Sequence, residues 1–259
     1  MATLESKGKV VGKVHVGTMG WSYAFWVGDF YPKGLRCEAY LAEYSKHFNS
    51  VEVDNTFYRI PSADTVRTWE TQTPEGFLFS AKFPRAITHV KMLRNCEKEA
   101  DRFVSTMSQL HDKLGPLLLQ FPSTFKLEHL PLLRNFLLAL PKSCRYAVEV
   151  RNKELQGEKL YSLLREANAA LVLVDQPLIQ PMEEITADFV YIRWEGERRR
   201  VKGTLGKVEV DRTEDTRKWA EKIQKFLDQP TEVFGYFSKY YSGYPPADVN
   251  QLLFSLMDK

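Results

Sequence analysis

Short apolar runs alternate along the chain with longer stretches in which apolar residues recur every three or four positions. The short runs are rich in β-branched and aromatic residues, which favours strands, and the longer stretches are typical of amphipathic helices. The predicted strands are Lys13–Thr18, Ser50–Asp54, Phe77–Lys82, Pro116–Phe121, Arg145–Val150, Ala170–Asp175, Asp188–Trp194 and Glu232–Phe237. The predicted helices are Leu35–His47, Ala63–Thr71, Asn95–Lys113, Glu128–Leu140, Glu158–Asn168, Thr213–Asp228 and Ala247–Met257. An irregular stretch instead of a clear helix follows the sixth strand.

Regular alternation of strands and helices predicts parallel strands joined by right-handed helical crossovers. Eight such units in 259 residues favour an α/β fold of the (β/α)8 TIM-barrel type, with residues 1–259 as a single domain. An open, doubly wound sheet is the alternative, because the number of strands alone does not establish that the sheet closes.

The alternation of side chains within each strand separates residues that face the helices from residues that face the barrel lumen. In the second strand Val51 and Val53 suit the helix side, so Glu52 and Asp54 fall on the lumen side. The same reasoning places these polar residues in the lumen: Ser80, Lys82, Gln120, Glu149, Arg151, Asp175, Tyr191, Arg193, Tyr236 and Ser238. Many of them lie near the C-terminal strand ends, where barrel enzymes carry their active sites, so we expect a functional pocket there. A purely structural network of ion pairs is the alternative.

The residue types at these strand ends suggest the chemistry of the pocket. Carboxylates can act as general acids or bases, and the predicted catalytic residues are Glu52, Glu149 and Asp175. The basic side chains of Lys82, Arg151 and Arg193 can hold a phosphate or a carboxylate. Which of the carboxylates is the acid and which is the base stays open.

Aromatic residues are concentrated in the segments that follow the first, second and last strands. Aromatic rings interleaved with Arg and Lys can stack against bases or sugars. The predicted substrate-binding residues are Trp21, Tyr23, Asn55, Phe57, Tyr58, Lys82, His89, Gln120, Arg151 and Arg193. We expect Trp26, Phe30 and Tyr31 instead to pack the first loop against the barrel.

The sequence contains no cofactor motif, and its five histidines lack the spacing of a metal site. No metal-binding residue is therefore predicted. Magnesium or manganese held by Glu52, Glu149 and Asp175 is an alternative, because oxygen-only ligands suit these ions. The net charge of +3 permits a phosphate-bearing partner without requiring one. The basic run Arg198–Arg200 is interpreted as a solvated loop, with contact to a nucleic-acid backbone as the alternative.

Three widely spaced cysteines and an N-terminal sequence without an apolar signal-peptide core favour a cytoplasmic protein. No apolar run approaches the length of about 18 residues needed to span a membrane, so no membrane partner is expected. The sequence does not indicate the oligomeric state.

Seven segments together resemble the YecE-like family, a domain of unknown function (number 72). They are 17–23 (GTMGWSY), 30–32 (FYP), 51–61 (VEVDNTFYRIP), 79–89 (FSAKFPRAITH), 114–122 (LGPLLLQFP), 146–152 (YAVEVRN) and 186–196 (TADFVYIRWEG). The resemblance covers nearly the whole chain and implies a TIM barrel related in shape to sugar isomerases and endonuclease IV. The chain departs from it at two places: Ser238-Lys239 replaces an Asn-Asn pair, and Glu195 replaces a histidine before Gly196.

Two hypotheses of function follow from these observations. The first is an enzyme, of hydrolase or isomerase type by analogy of fold, acting on a phosphorylated, sugar-like or nucleic-acid-derived substrate at the strand ends. The second is a non-catalytic protein that binds nucleic acid or nucleotides through the aromatic loops and the basic run.

Overall fold

The computed structural model describes residues 14–177, 183–229 and 231–257, and within these residues it contains eight strands and seven α-helices. The strands are β1 Val14–Thr18, β2 Ser50–Val53, β3 Leu78–Lys82, β4 Leu114–Gln120, β5 Tyr146–Glu149, β6 Ala169–Asp175, β7 Phe189–Trp194 and β8 Glu232–Phe237. The helices are α1 Tyr40–His47, α2 Ala63–Gln72, α3 Glu97–Met107, α4 Leu130–Ala139, α5 Glu158–Ala167, α6 Thr213–Leu227 and α7 Pro245–Met257.

The predicted strands and helices are confirmed in type and order, and differ only at their ends. The first helix begins at Tyr40 instead of Leu35, because a 3-10 turn over Cys37–Ala39 precedes it. The last helix begins two residues early, at Pro245, since proline is favoured in the first helical turn, where its missing N–H is not needed. Lys13 and residues 178–182 of the irregular stretch lie outside the described residues.

The strands form one parallel sheet in the order β1-β8-β7-β6-β5-β4-β3-β2. Its two end strands also meet, because Gly20 N donates a hydrogen bond of 2.8 Å to Glu52 O and Met19 forms a parallel bridge with Glu52. The sheet is therefore a (β/α)8 barrel, and the open doubly wound alternative is wrong.

Side chains replace part of the backbone ladder where β1 and β2 meet. Asn49 accepts a hydrogen bond from Val16 N at 3.1 Å and donates one to Val14 O at 2.9 Å. The Tyr44 hydroxyl accepts from Thr18 N at 2.9 Å and donates to Ser50 O at 3.1 Å. These two side chains satisfy backbone groups that would otherwise be buried without partners.

The core has two parts, as in other barrels. Apolar residues between the strands and the helices form the larger part, and they include Val51, Val53, Val148, Val190 and Ile192. A smaller cluster fills the lumen with Leu78, Leu118, Ala147, Val172, Phe234 and others. The strand phases predicted for β2, β5 and β7 are therefore confirmed. Among the described residues, no helix is both long and apolar enough to cross a bilayer.

Candidate functional site

A buried arginine forms the centre of the polar cluster at the C-terminal end of the lumen. Arg193 on β7 is 1% exposed, and its Nε and Nη2 donate to the two carboxylate oxygens of Glu52 at 3.0 and 2.8 Å. Its Nη1 donates at 2.6 Å to Glu149 Oε2 and at 2.6 Å to Glu195 Oε1. One guanidinium thus binds carboxylates from three parts of the chain.

Further hydrogen bonds fix the two glutamates that were predicted to be catalytic. The Tyr191 hydroxyl donates to Glu52 Oε2 at 2.7 Å. Gln120 Nε2 and Arg151 Nε donate to Glu149 Oε1 at 2.7 and 3.1 Å. Both glutamates are fully buried, so these bonds compensate for their removal from water.

Burial and ion pairing act against each other in this cluster. Burial raises the pKa of Glu52 above its usual range; Arg193 opposes the rise and Asp54 adds to it. Burial also acts to raise the pKa of Glu149, but the charges of Arg193 and Arg151 outweigh it, and the pKa is lowered. Burial alone would lower the pKa of Arg193, yet the surrounding carboxylates raise it well above its usual value. Glu149 and Arg193 are therefore ionised at neutral pH.

A cavity of about 270 Å³ opens above this cluster at the C-terminal end of the barrel. Eight of the predicted site residues line it: Tyr23, Phe57, Tyr58, Lys82, His89, Gln120, Arg151 and Arg193. Trp21 and Asn55 line an adjoining recess of about 260 Å³, together with Tyr23, Asp54 and Tyr58. All ten predicted substrate-binding residues thus lie at this end of the barrel.

Basic side chains are prominent in the wall of the cavity. They are Lys82, Arg151, Arg193, Arg198 and Lys239, whereas the acidic residues that line it are Asp54 and Glu195. Glu195 accepts a hydrogen bond from Arg193, so part of its charge is already compensated. The cavity wall is therefore suited to an anionic ligand.

Phe57 contacts the two ionisable side chains of the inner wall. Lys82 Nζ lies 4.2 Å from the centre of the Phe57 ring, and the His89 ring packs edge-on at 5.0 Å between ring centres. Burial lowers the pKa of Lys82. Burial, reinforced by the charge of Lys82, lowers the pKa of His89 to about 4. The imidazole is consequently neutral at pH 7 and able to accept a proton.

Asp175 does not lie in this site, and its predicted placement in the lumen is wrong. Val172 and Val174 take the lumen positions of β6, so the side chain of Asp175 points outward toward α6. There it accepts hydrogen bonds from Trp219 Nε1 at 2.7 Å and from the Tyr241 hydroxyl at 3.3 Å. The apolar sequence of β6 is compatible with either phase, and therefore misled the prediction.

The three carboxylates suggested as ligands for magnesium or manganese are not brought together. Asp175 faces α6, while Glu52 and Glu149 lie below the cavity and accept hydrogen bonds from Arg193. Within the described residues, no group of three or more His, Cys, Asp or Glu side chains is placed to hold a metal ion.

The prediction missed several lining residues because they come from loops after the strands. They are Met19, Asp54, Glu195, Arg198, Ser238, Lys239 and Tyr240. The alternation of side chains along the strands had placed Asp54 and Ser238 on the lumen side, so the sequence did carry a signal for these two residues. The two departures from the family pattern, Glu195 and Ser238-Lys239, both lie at the cavity. Trp26 and Tyr31 are buried, which confirms their predicted role in loop packing.

Comparison with known proteins gives relatives without an assigned activity. UPF0759 protein YecE of Escherichia coli K12 is 37% identical over 154 residues, which are 59% of this chain and 54% of that protein. The chain therefore spans about half the length of the curated relatives it matches. The crystal structure of a DUF72 family protein from Thermotoga maritima covers 95% of this chain and 100% of its own, with a TM-score of 0.80 and 26% identity.

The barrel also resembles a sugar epimerase in shape. D-Psicose 3-epimerase from Clostridium cellulolyticum H10 superposes with a TM-score of 0.54 at 11% identity, covering 93% of this chain and 95% of its own. This likeness concerns the fold alone, and it agrees with the relation to sugar isomerases that the sequence implied. The family model described as protein of unknown function DUF72 matches residues 15–259. The chain belongs to the DUF72 family.

Proposed function

We propose that this protein is an enzyme, of isomerase or hydrolase type, that binds a small phosphorylated or otherwise anionic sugar-like substrate in the cavity above Arg193. The observation that carries the proposal is the set of basic side chains in the cavity wall. The buried glutamates below them already neutralise Arg193. Arg151 and Arg198 share the carboxylate of Glu195 at 3.8 Å each, so one carboxylate faces two guanidinium groups and positive charge remains for a ligand.

Arg151 and Arg198 are suited to hold the anion. Arg151 uses Nε for its hydrogen bond to Glu149, and its Nη2 lies at the longer distance of 3.8 Å from Glu195 Oε1. The side chain of Arg198 is 67% exposed, lies over the Tyr240 ring at 4.8 Å, and has its Nη2 3.8 Å from Glu195 Oε2. A guanidinium with free terminal N–H groups can bind two phosphate oxygens at once.

The size of the cavity favours a small molecule. Its volume of about 270 Å³ lies just below the range of about 300–1,000 Å³ that is usual for ligand cavities. A space of this size suits a sugar phosphate better than a nucleic-acid strand.

Proton transfer is the chemistry that the inner wall supports. His89 is neutral at pH 7 because its pKa is lowered to about 4, and a neutral imidazole can serve as a general base. Its Nδ1 lies 2.9 Å from the Thr88 hydroxyl, which restricts the orientation of the ring. Glu52 and Glu149, which lie beneath the cavity, position Arg193 in this scheme and do not act on the substrate.

Nucleotide binding without catalysis is the second candidate. The adjoining recess supports it, because Trp21 and Tyr58 offer aromatic faces there, and Tyr58 is 83% exposed. Aromatic faces next to basic side chains are a common platform for bases.

Binding and turnover can be tested separately. Ribose 5-phosphate is expected to raise the melting temperature, while ribose at the same concentration does not. A ligand at 100 times its dissociation constant stabilises the folded state by about 2.7 kcal/mol. Arg151→Gln should abolish most of this rise, and Arg102→Gln, at an exposed position on α3, should keep it.

Turnover is followed by deuterium uptake from D2O into a panel of sugar phosphates, together with release of inorganic phosphate. His89→Gln should remove turnover and leave the thermal shift in place. Thermal shifts with a nucleoside monophosphate but with no sugar phosphate, and no turnover of any compound, would favour the second candidate. If no anion changes the melting temperature, the proposal is wrong.

A further inference from the structure

Lys82 is a partly buried lysine in the wall of the cavity, and its amino group has no acidic partner at ion-pair distance in the described part of the chain. It is the last residue of β3, and its side chain reaches the inner wall of the cavity. In residues 14–177, 183–229 and 231–257, no group lies at hydrogen-bond or ion-pair distance from Nζ. By contrast, Lys46 and Lys222 pair with Glu43 and Glu183 at 2.7 and 2.5 Å.

Opposing influences act on the amino group of Lys82. The face of the Phe57 ring, whose centre lies 4.2 Å from Nζ, attracts a cation and so favours the protonated amine. Burial and the positive charge of Arg193 lower the pKa of Lys82, while Asp54, Glu149 and Glu52 oppose this and do not reverse it. The imidazole of His89, whose pKa is lowered to about 4, is neutral at pH 7 and adds no positive charge near Lys82. A lysine that is desolvated and close to another cation is activated as a nucleophile.

We propose that Lys82 is a catalytic nucleophile that forms a protonated imine with the carbonyl group of an aldehyde or ketone substrate. This inference rests on the proposed function, since it places the reaction in the same anion-binding cavity. It narrows the substrate class to small carbonyl compounds that carry a phosphate or a carboxylate, with the anion held by Arg151 and Arg198.

The step requires no oxidant, reductant or metal. The lone pair of Lys82 Nζ forms a bond to the carbonyl carbon while the C=O π bond breaks. The oxygen leaves as water, carrying one proton from the amine and one from solvent. The nitrogen keeps its other proton, and the product is a positively charged C=N bond.

His89 is placed to act on such an intermediate. A protonated imine draws electrons from the neighbouring carbon and makes its C–H bond acidic. His89 lines the same cavity, and its ring shares the Phe57 contact with Lys82. A neutral His89 can accept the proton from that carbon, which is the step that an isomerisation needs.

Reductive trapping tests the imine on the intact wild-type chain. The protein is incubated with dihydroxyacetone phosphate or with pyruvate, reduced with sodium borohydride, digested and analysed by peptide mass spectrometry. We expect an adduct on Lys82 at least tenfold more abundant than on the exposed Lys98. The trapping rate should rise with pH as the amino group of Lys82 loses its proton. Because the pKa of Lys82 is lowered, the rate should reach its plateau at a lower pH than for an ordinary lysine.

Three variants separate the imine from anion binding. Lys82→Arg keeps a basic group and should lose the adduct, while phosphate still raises the melting temperature. Lys82→Met should also lose the adduct, and Lys98→Met should label like wild type.

The proposal of an imine on Lys82 is wrong if surface lysines are labelled equally, if Lys239 is labelled in place of Lys82, or if no adduct forms at all. If the phosphate-induced thermal shift persists in those cases, the anion-binding proposal survives. If that shift is missing from the wild-type protein as well, the proposed function itself fails.

Discussion

Arg193 on β7 and Glu52 on β2 form a two-point ion pair across the barrel lumen, with Nε to Oε2 at 3.0 Å and Nη2 to Oε1 at 2.8 Å. The two strands are not neighbours in the sheet. The pair therefore joins two strands that lie three places apart in the closed barrel, directly beneath the cavity, and the position of Arg193 in the cavity floor depends on it.

Removal of Arg193 should destabilise the fold strongly. Arg193→Met leaves Glu52 and Glu149 buried without their main cationic partner, and loss of one partner from a buried ion pair costs about 3–5 kcal/mol. Urea unfolding of the variant measures this loss. Arg134→Met removes a surface pair with Glu166, and should change the unfolding midpoint little. Equal midpoints for the two variants would contradict a central role of Arg193.

The barrel was predictable because its strands carry a clear alternation of polar and apolar residues. In β2 the valines at 51 and 53 alternate with Glu52, and only one phase buries both valines against the helices. In β6 both faces are apolar and both are buried, so alternation carries no phase information. The misplacement of Asp175 follows from this difference.

The loop part of the site was less accessible to prediction. The positions of Arg198 and Lys239 depend on how two long loops fold over the strand ends, and no periodicity describes such segments. The pairing of Glu195 with Arg193 is likewise set by the backbone after β7. Sequence patterns located the end of the barrel that carries the cavity, but not all the groups that line it.

The junction of β1 and β2 should be sensitive to Asn49. Asn49→Ala removes the partners of Val16 N and Val14 O, and an unsatisfied buried backbone group costs about 1–3 kcal/mol. We expect a lower free energy of unfolding and faster amide exchange at Val16. Asn250→Ala, at an exposed position on α7, is the matched control. Unchanged exchange at Val16 would show that water replaces the side chain.

Asp248 should make the stability decrease as the pH rises. Burial raises its pKa to about 8, although Ser242, whose hydroxyl donates to Oδ2 at 2.7 Å, and Arg212 oppose the rise. Between about pH 4 and pH 8 the unfolded chain loses this proton while the folded chain keeps it. The contribution of Asp248 to the free energy of unfolding therefore falls as the pH rises, by at most about 1.4 kcal/mol per pH unit.

Asp248→Asn tests this dependence by removing the titration while keeping an acceptor for Ser242. Urea unfolding at pH 5, 6, 7 and 8 should give a flatter stability profile for the variant than for wild type, with the variant the more stable at pH 8. Asp112→Asn, at an exposed position, should follow the wild-type profile. Parallel profiles for Asp248→Asn and wild type would show that Asp248 does not titrate in this range.

Asp175 should contribute to stability and not to the reaction, because it points away from the cavity. Asp175→Ala leaves Trp219 Nε1 without its acceptor at 2.7 Å, which should lower the free energy of unfolding by about 1–3 kcal/mol. The sugar-phosphate thermal shift and the borohydride trapping of Lys82 should both persist. By contrast, Arg151→Gln should lose the thermal shift, and Lys82→Arg should lose the trapping. If a folded Asp175→Ala protein loses either signal, Asp175 contributes to the reactive site after all. That result would contradict the outward orientation of its side chain on β6.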